Sequence, residues 1–264
     1  RVPEGIKIVP KNMVLNCSSL TTLTLPSTVT TINDSAFEGC TSLSSLKGPD
    51  KVSVVPVKMC FKCTGLIAVN LPVGIETVAD NAFAECSSLT TVTNIDKATV
   101  IGSKVFQKCT SLKSLKLGSD INVVPDYLCS GCTSLKNFDF TYILRIGKSS
   151  FENCGFETLN LGNNIVNIES GAFSNCAELV SVTLPQNSNF TTVKQNVFNG
   201  CKKLSNCTIP ANVTDFGTNA FKGCAAIPLP FSPAPELASG VTASNHPFSN
   251  VGAVYVPLQS AGYD

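Results

Sequence analysis

Residues 30–46 read TTINDSAFEGCTSLSSL, and the same order of side chains returns at 76–92 as ETVADNAFAECSSLTTV and at 166–185 as VNIESGAFSNCAELVSVTLP. Working outward from Cys40, the cysteine of that phrase recurs at Cys17, Cys63, Cys86, Cys109, Cys132, Cys154, Cys176, Cys201 and Cys224, at intervals of 23, 23, 23, 23, 23, 22, 22, 25 and 23 residues. The rest of the phrase keeps its phase. Three residues before the cysteine stands Phe37, Phe83, Phe106, Phe151, Phe173, Phe198 or Phe221, and three after it Leu20, Leu43, Leu66, Leu89, Leu112, Leu135, Leu179 or Leu204. Eight before come Val9, Ile32, Val55, Val78, Ile101, Val124, Ile146, Ile168 and Val193, and six and eight after come pairs such as Leu23 and Leu25 or Phe138 and Phe140. Such a period marks a stack of coils, each too small to bury its own apolar side chains and each completing its core against the coils above and below.

Alternation in SLTTLTLP predicts a short strand with one buried face, ended at Pro26, Pro72, Pro185 and Pro210 because proline cannot donate to a ladder. The return limb carries Thr, Asn, Asp and Gly between apolar slots, so turns and short 3₁₀ pieces are expected there rather than a full helix. One domain is expected over 1–264, with regular repeats at 1–224 and a degenerate, Pro-rich capping coil at 225–264. In that last coil Phe248, Val251, Val254, Val256 and Pro257 match the slots of Phe37, Cys40, Leu23, Leu25 and Pro26.

Composition excludes several kinds of function. Charged residues are 14% of the chain and the net charge is +1, so no global field draws it to nucleic acid or anionic lipid. The single histidine, His246, lies in the Pro-rich tail, which removes the usual general base and neutral metal ligand from the body of the protein. No membrane span is expected, since no window approaches 18 apolar residues, and RVPEGIKIVP has none of the regions of a secretory leader.

Chemistry-bearing candidates each have a plainer reading. The pairs Cys60/Cys63 and Cys129/Cys132 have redox or metal spacing, yet Cys60 and Cys129 fall in the phenylalanine slot of their coils. The phase favours packed thiols acting as small hydrophobes over a local disulfide or a reactive site. His246 with Ser244 and Asn245 lacks an acidic orienter, and no two carboxylates are placed for glycoside hydrolysis. Five Asn-x-Ser/Thr sequons, at Asn16, Asn33, Asn189, Asn206 and Asn212, are glycan acceptors in a eukaryotic secretory cell. No catalytic residue, metal site or cofactor is expected.

The outward strand positions are mostly small hydroxyl residues with no aromatic anchor. A mildly basic centre at Lys113, Lys116 and Lys136 breaks that monotony, and with Thr91, Thr93, Ser114, Asn137 and Asp139 it forms the candidate ligand-contact surface.

The three quoted phrases resemble the BspA-like leucine-rich repeats of bacteria and some protists, and the closing AVYVPLQSAGYD resembles the end segment of exported members. The resemblance runs from Val2 to Tyr263. With the period, it implies a mostly β, α/β-type solenoid: a right-handed superhelix of ten to eleven coils of about 23 residues with one parallel sheet. It also implies a secreted or cell-surface binding or adhesion module, not an enzyme, whose partner is a surface or matrix protein of a host or neighbouring cell. A purely structural spacer and a glycan-binding module are the alternatives. Two departures stand out. The coils at Asp96–Lys97 and Thr141–Tyr142 lack the strand-ending proline, and Asn94 occupies a normally apolar slot.

Overall fold

The structure, a computed structural model, describes residues 2–228, 236–237, 246–251 and 253–255. The chain is a mostly β solenoid with about nine turns of about 23 residues and almost no helix. The sequence suggests ten to eleven coils, a small difference; in the first of them Leu20–Leu25 forms no strand. Each coil is named below for its slot cysteine and runs from the return limb before that residue through the strand after it.

Strands stack in parallel and in register along the axis. On the expected face Ser45–Lys47, Ala68–Asn70 and Thr91–Thr93 form one ladder, Ser114–Leu115 and Asn137–Phe138 a second, and Thr158–Asn160, Ser181–Thr183 and Asn206–Thr208 a third. A second column corrects the expectation of one sheet. Two-residue strands of the return limb also pair in parallel, as in Val54↔Thr77, Thr77↔Val100 and Val123↔Arg145. Strands this short show no period-two pattern, so the sequence reads there as turn.

The corner between the two columns repeats one backbone shape. Positions five and one residues before each slot cysteine have positive φ, as in Asn12 and Asn16, Ser35 and Gly39, Lys58 and Lys62, Asn81 and Glu85, and Asn196 and Gly200. Asparagine and glycine are frequent there because only they enter the left-handed region at little cost. Corners stack through main-chain bonds. The N–H of Phe37 donates to Met59 O (2.9 Å), Cys60 to Ala82 O (2.8 Å), Phe83 to Val105 O (3.0 Å) and Phe106 to Leu128 O (2.9 Å).

One apolar core runs from Val9 to Ile227. Slot phenyl rings stack face to face, Phe151 on Phe173 at 5.5 Å, Phe173 on Phe198 at 5.7 Å and Phe198 on Phe221 at 5.4 Å. Phe248 extends the column, 5.6 Å from Phe221, and the register Ile227↔Val254 continues the strand face, in keeping with the slots assigned to the last coil. The rest of the expected cap, including Val256 and Pro257, lies outside the described residues.

The thirteen cysteines are free thiols, and all are buried except Cys17. Burial of every slot cysteine was the expectation. Cys17, in the first coil described, departs from it and is exposed. The other slot thiols do more than fill space: each donates to the main-chain carbonyl of the phenylalanine slot one coil back. Cys63 Sγ lies 3.0 Å from Phe37 O, Cys86 Sγ 3.1 Å from Cys60 O, Cys109 Sγ 3.2 Å from Phe83 O and Cys132 Sγ 3.0 Å from Phe106 O. The acceptor already takes the N–H of its own coil, as with Cys40 N to Phe37 O at 3.3 Å, so the thiol uses its second lone pair. Alanine could not make this bond, and serine would place a more polar group in the core. Burial pushes Cys40 up to about 11 and holds Cys86, Cys109 and Cys176 well above the ordinary thiol range. In the Cys60/Cys63 pair burial raises Cys60, whose thiol donates to Cys63 and makes Cys63 the more acidic of the two.

Candidate binding depression on the strand face

Among the described residues the strand face is interrupted after Thr93, after Phe138 and after Thr208, and the first two breaks fall among the candidate contact residues. At the first break Asn94 adopts φ 62° and opens the 3₁₀ helix Ile95–Lys97, its side chain donating to Leu71 O at 2.6 Å. Buried Ile95 takes the apolar role that Asn94 leaves, which accounts for the polar residue in an apolar slot. The second break has two causes. Both 22-residue intervals meet there: the turn at Thr141–Tyr142 is short by one residue, and Phe156 follows Cys154 by two residues where leucine usually follows by three. Gly155 is consequently pressed against the neighbouring coil, where a Cβ would stand 2.2 Å from Thr133 O.

Side-chain volume is the other cause. Cys129 removes a ring from the slot column, and Phe138 and Phe140 replace it from the strand, as close packing demands. Phe138 packs 4.8 Å from both Phe140 and Phe151, and Phe156 lies 5.6 Å from Phe151. The sequence assigned both strand rings to inward slots. Phe140 is buried, whereas Phe138 is only partly so. Over these rings lies a depression of about 440 Å³ with a floor of Leu115, Phe138, Phe140, Phe156 and Leu159.

Its rim contains five of the expected contact residues, Ser114, Lys116, Lys136, Asn137 and Asp139, joined by Thr158 and Asn160. Lys113, Thr91 and Thr93 are exposed on the same face but do not line it. Thr93 is engaged with the preceding coil, its hydroxyl donating to Asn70 Oδ1 at 2.7 Å. The charges are paired across coils. Lys116 meets Asp139 at 3.3 Å and Lys136 meets Glu157. Asp139 accepts the main-chain N–H and hydroxyl of Thr141, which with Lys116 hold its carboxyl below the ordinary range; the Lys136 ammonium does the same for Glu157. Both acids are thus ionised at neutral pH and poorly suited to proton donation. The sequence signals for this site are the paired 22-residue intervals and the two phenylalanines on one strand; the residues missed were Phe156, Thr158, Leu159 and Asn160.

Among the described residues no group of three or more His, Cys, Asp or Glu side chains is arranged to hold a metal ion, and no helix is long and apolar enough to cross a membrane.

Comparison with known proteins gives a consistent picture. The family described as the BspA type leucine-rich repeat region matches residues 1–113 and 99–228 in six copies. No curated protein matches the sequence. A leucine-rich repeat protein from Bacteroides ovatus superposes with a TM-score of 0.68 at 22% identity, over 96% of this chain and 77% of that one. A leucine-rich cell surface protein from Faecalibacterium prausnitzii gives 0.52 at 18% identity, over 89% and 84%. The pneumococcal vaccine antigen PcpA gives 0.50 at 13% identity, over 89% and 68%. At these identities the likeness is one of fold.

Proposed function

Because the chain belongs to the BspA-type leucine-rich repeat family, we propose that it is a protein-binding or adhesion module, secreted or displayed on a cell surface, that recognises a surface or matrix protein of a host or neighbouring cell and performs no catalysis. The observation that carries this reading is the depression, the place where the repeating face departs from monotony and gathers an apolar floor and a polar rim. Binding energy concentrates in such sites, where one side chain of a partner is desolvated inside a ring of polar contacts. The hydroxyl-rich face on either side offers no such anchor. The location is supported by the Faecalibacterium protein of the same fold, which is a cell surface protein.

The test is adhesion of the immobilised chain to cultured cells and to a panel of purified matrix proteins, with arginine placed on each face in turn. Thr91→Arg and Ser114→Arg on the strand face should weaken binding at least tenfold, and Thr31→Arg and Val123→Arg on the second column should leave it unchanged. Absence of binding across the panel, or equal sensitivity of the two faces, overturns the proposal and favours a spacer.

A further inference from the structure

We infer that the depression seats an aromatic side chain of the protein ligand, and that the ligand residues flanking that side chain carry one acidic and one basic group. The inference rests on the strand face being the binding surface and names what it recognises. The floor is an extended cluster of rings in edge contact: Phe138 meets Phe140 and Phe151 at interplanar angles of 51° and 68°, and Phe156 meets Phe151 at 75°. A further ring above Phe138 continues this edge-to-face arrangement, the preferred geometry of aromatic pairs. A sugar fits less well. Stacking of a pyranose needs an open ring face, and with Phe140 and Phe156 at 9% and 1% exposure only the partly buried Phe138 offers one.

The charges around the floor change sign across three coils. Lys113 and Lys116 stand in the Cys109 coil, Lys136 and Asp139 in the Cys132 coil and Glu157 in the Cys154 coil, while the next acid, Glu178, is paired with Lys203 beyond it. Ion pairs link successive coils in this gradient, Lys116 to Asp139 and Lys136 to Glu157. Lys116, Lys136 and Asp139 line the rim and Glu157 lies exposed beside it, and both pairs are solvent-accessible, so a ligand can exchange these contacts for its own at small cost. An acid then faces the Cys109 side and a base the Cys154 side. A polyanion or polycation would meet repulsion at one end.

The probes are side-chain analogues and short peptides, read by two-dimensional NMR on the intact chain. p-Cresol and indole should shift the resonances of Leu115, Phe138 and Leu159 at millimolar concentration, and methyl-glucoside should not. Acetyl-Glu-Tyr-Lys-amide should bind about three- to tenfold more tightly than acetyl-Ala-Tyr-Ala-amide, the range given by one or two exposed ion pairs, and this advantage should vanish at high salt. Acetyl-Glu-Ala-Lys-amide should not bind. Thr158→Arg, which lays a long side chain over the depression, should abolish the p-cresol shifts while its own spectrum stays folded. Thr22→Arg, on the same face but remote, should leave them intact. Sugar binding without p-cresol binding, shifts that map elsewhere, or p-cresol shifts that survive Thr158→Arg each overturn the inference. Failure of cell adhesion with these shifts present would sink the proposed function and leave the aromatic pocket standing.

Discussion

Two interior coils of this protein exchange the same ring for a cysteine and answer the loss in different ways. In the Cys63 coil, Cys60 takes the phenylalanine slot with no added bulk on the strand, where Val69 and Leu71 are ordinary occupants. Between this coil and the one before it lies a small apolar void of about 10 Å³, lined by Val52, Val55, Met59 and Leu71 among others, too small and too apolar to hold an ordered water. In the Cys132 coil, Cys129 takes the slot and Phe138 and Phe140 enter from the strand side. There the core stays filled, the ladder breaks, and the surplus ring area emerges as the depression. A repeat can thus absorb a missing ring silently or convert it into a surface feature, and the outcome depends on where replacement volume enters the coil.

Reactivity offers the widest contrast. A thiol reagent should label Cys17 at once in the native protein, while Cys60, Cys63, Cys129 and the other buried thiols wait for unfolding, since attack needs an accessible thiolate. Mass spectrometry should count one modified cysteine before denaturation and thirteen after it. Fast native labelling of Cys60 or Cys129 would show that the slots are not closed.

Truncation of a ring is the next largest effect. Phe173 is fully buried and stacks on Phe151 and Phe198, so Phe173→Ala should cost about 3–5 kcal/mol. Phe138→Ala, half-buried over the depression, should cost less, about 2 kcal/mol on the same scale. Denaturant midpoints in the reverse order would place Phe138 in the core and remove the reason for the depression.

Restoring the missing ring separates the two coils directly. Cys129→Phe crowds a site already filled by Phe138 and Phe140 and should destabilise by about 1–3 kcal/mol. Cys60→Phe enters a coil whose strand carries no replacement ring, Val69 and Leu71 standing where Phe138 and Phe140 stand in the other, and should cost at least about 1 kcal/mol less. The double variant Cys129→Phe/Phe138→Val should recover part of the loss, a coupling expected only if slot and strand rings share one volume.

Much of this was legible in the residues and some was not, for physical reasons. The slots could be read because burial at period 23 forces apolar side chains into phase, as far as Phe248 on the column of stacked rings. The thiol-to-carbonyl ladder was not readable, because donor and acceptor lie 26 residues apart, as in Cys63 and Phe37, and the cysteine's volume alone already explained its place. The depression was half legible. Its lysines and Asp139 stood out on a hydroxyl-rich face, but whether Phe138 lies inside or at the rim depends on two single-residue shortenings acting together across neighbouring coils.

The turns supply a smaller effect that should be blind to the difference between the coils. Lys58 holds φ 53° at a position where Asn12, Asn81, Asn196 and Asn219 stand in other coils. Lys58→Asn should therefore stabilise by about 0.5–1 kcal/mol by relieving a left-handed lysine. Lys62, also over the Phe61 ring at 5.1 Å, keeps the cation–π contact that Lys58 gives up. A thermal midpoint that fell would mean that Lys58 has a packing role beyond its turn.

The smallest effect is a pH dependence confined to the Cys132 coil. Where Pro26, Pro72, Pro185 and Pro210 stand in their coils, this one has Thr141, whose N–H (3.0 Å) and hydroxyl donate to Asp139, which also pairs with Lys116 at 3.3 Å. These contacts hold the folded carboxyl below its ordinary value, which for an unfolded aspartate is about 3.9. A depressed folded value means that the ionised form supports folding: the contribution is fully present above about pH 5 and is lost as pH falls through the folded value. Asp139→Asn should consequently be less stable than the parent at pH 7, by no more than about 1 kcal/mol for so exposed a pair, and the gap should close as pH drops from 5 towards 3. Equal stability of the two proteins at pH 7, or a gap that widens in acid, would show that the short turn is held by the tight packing of its neighbours and not by the aspartate that caps it.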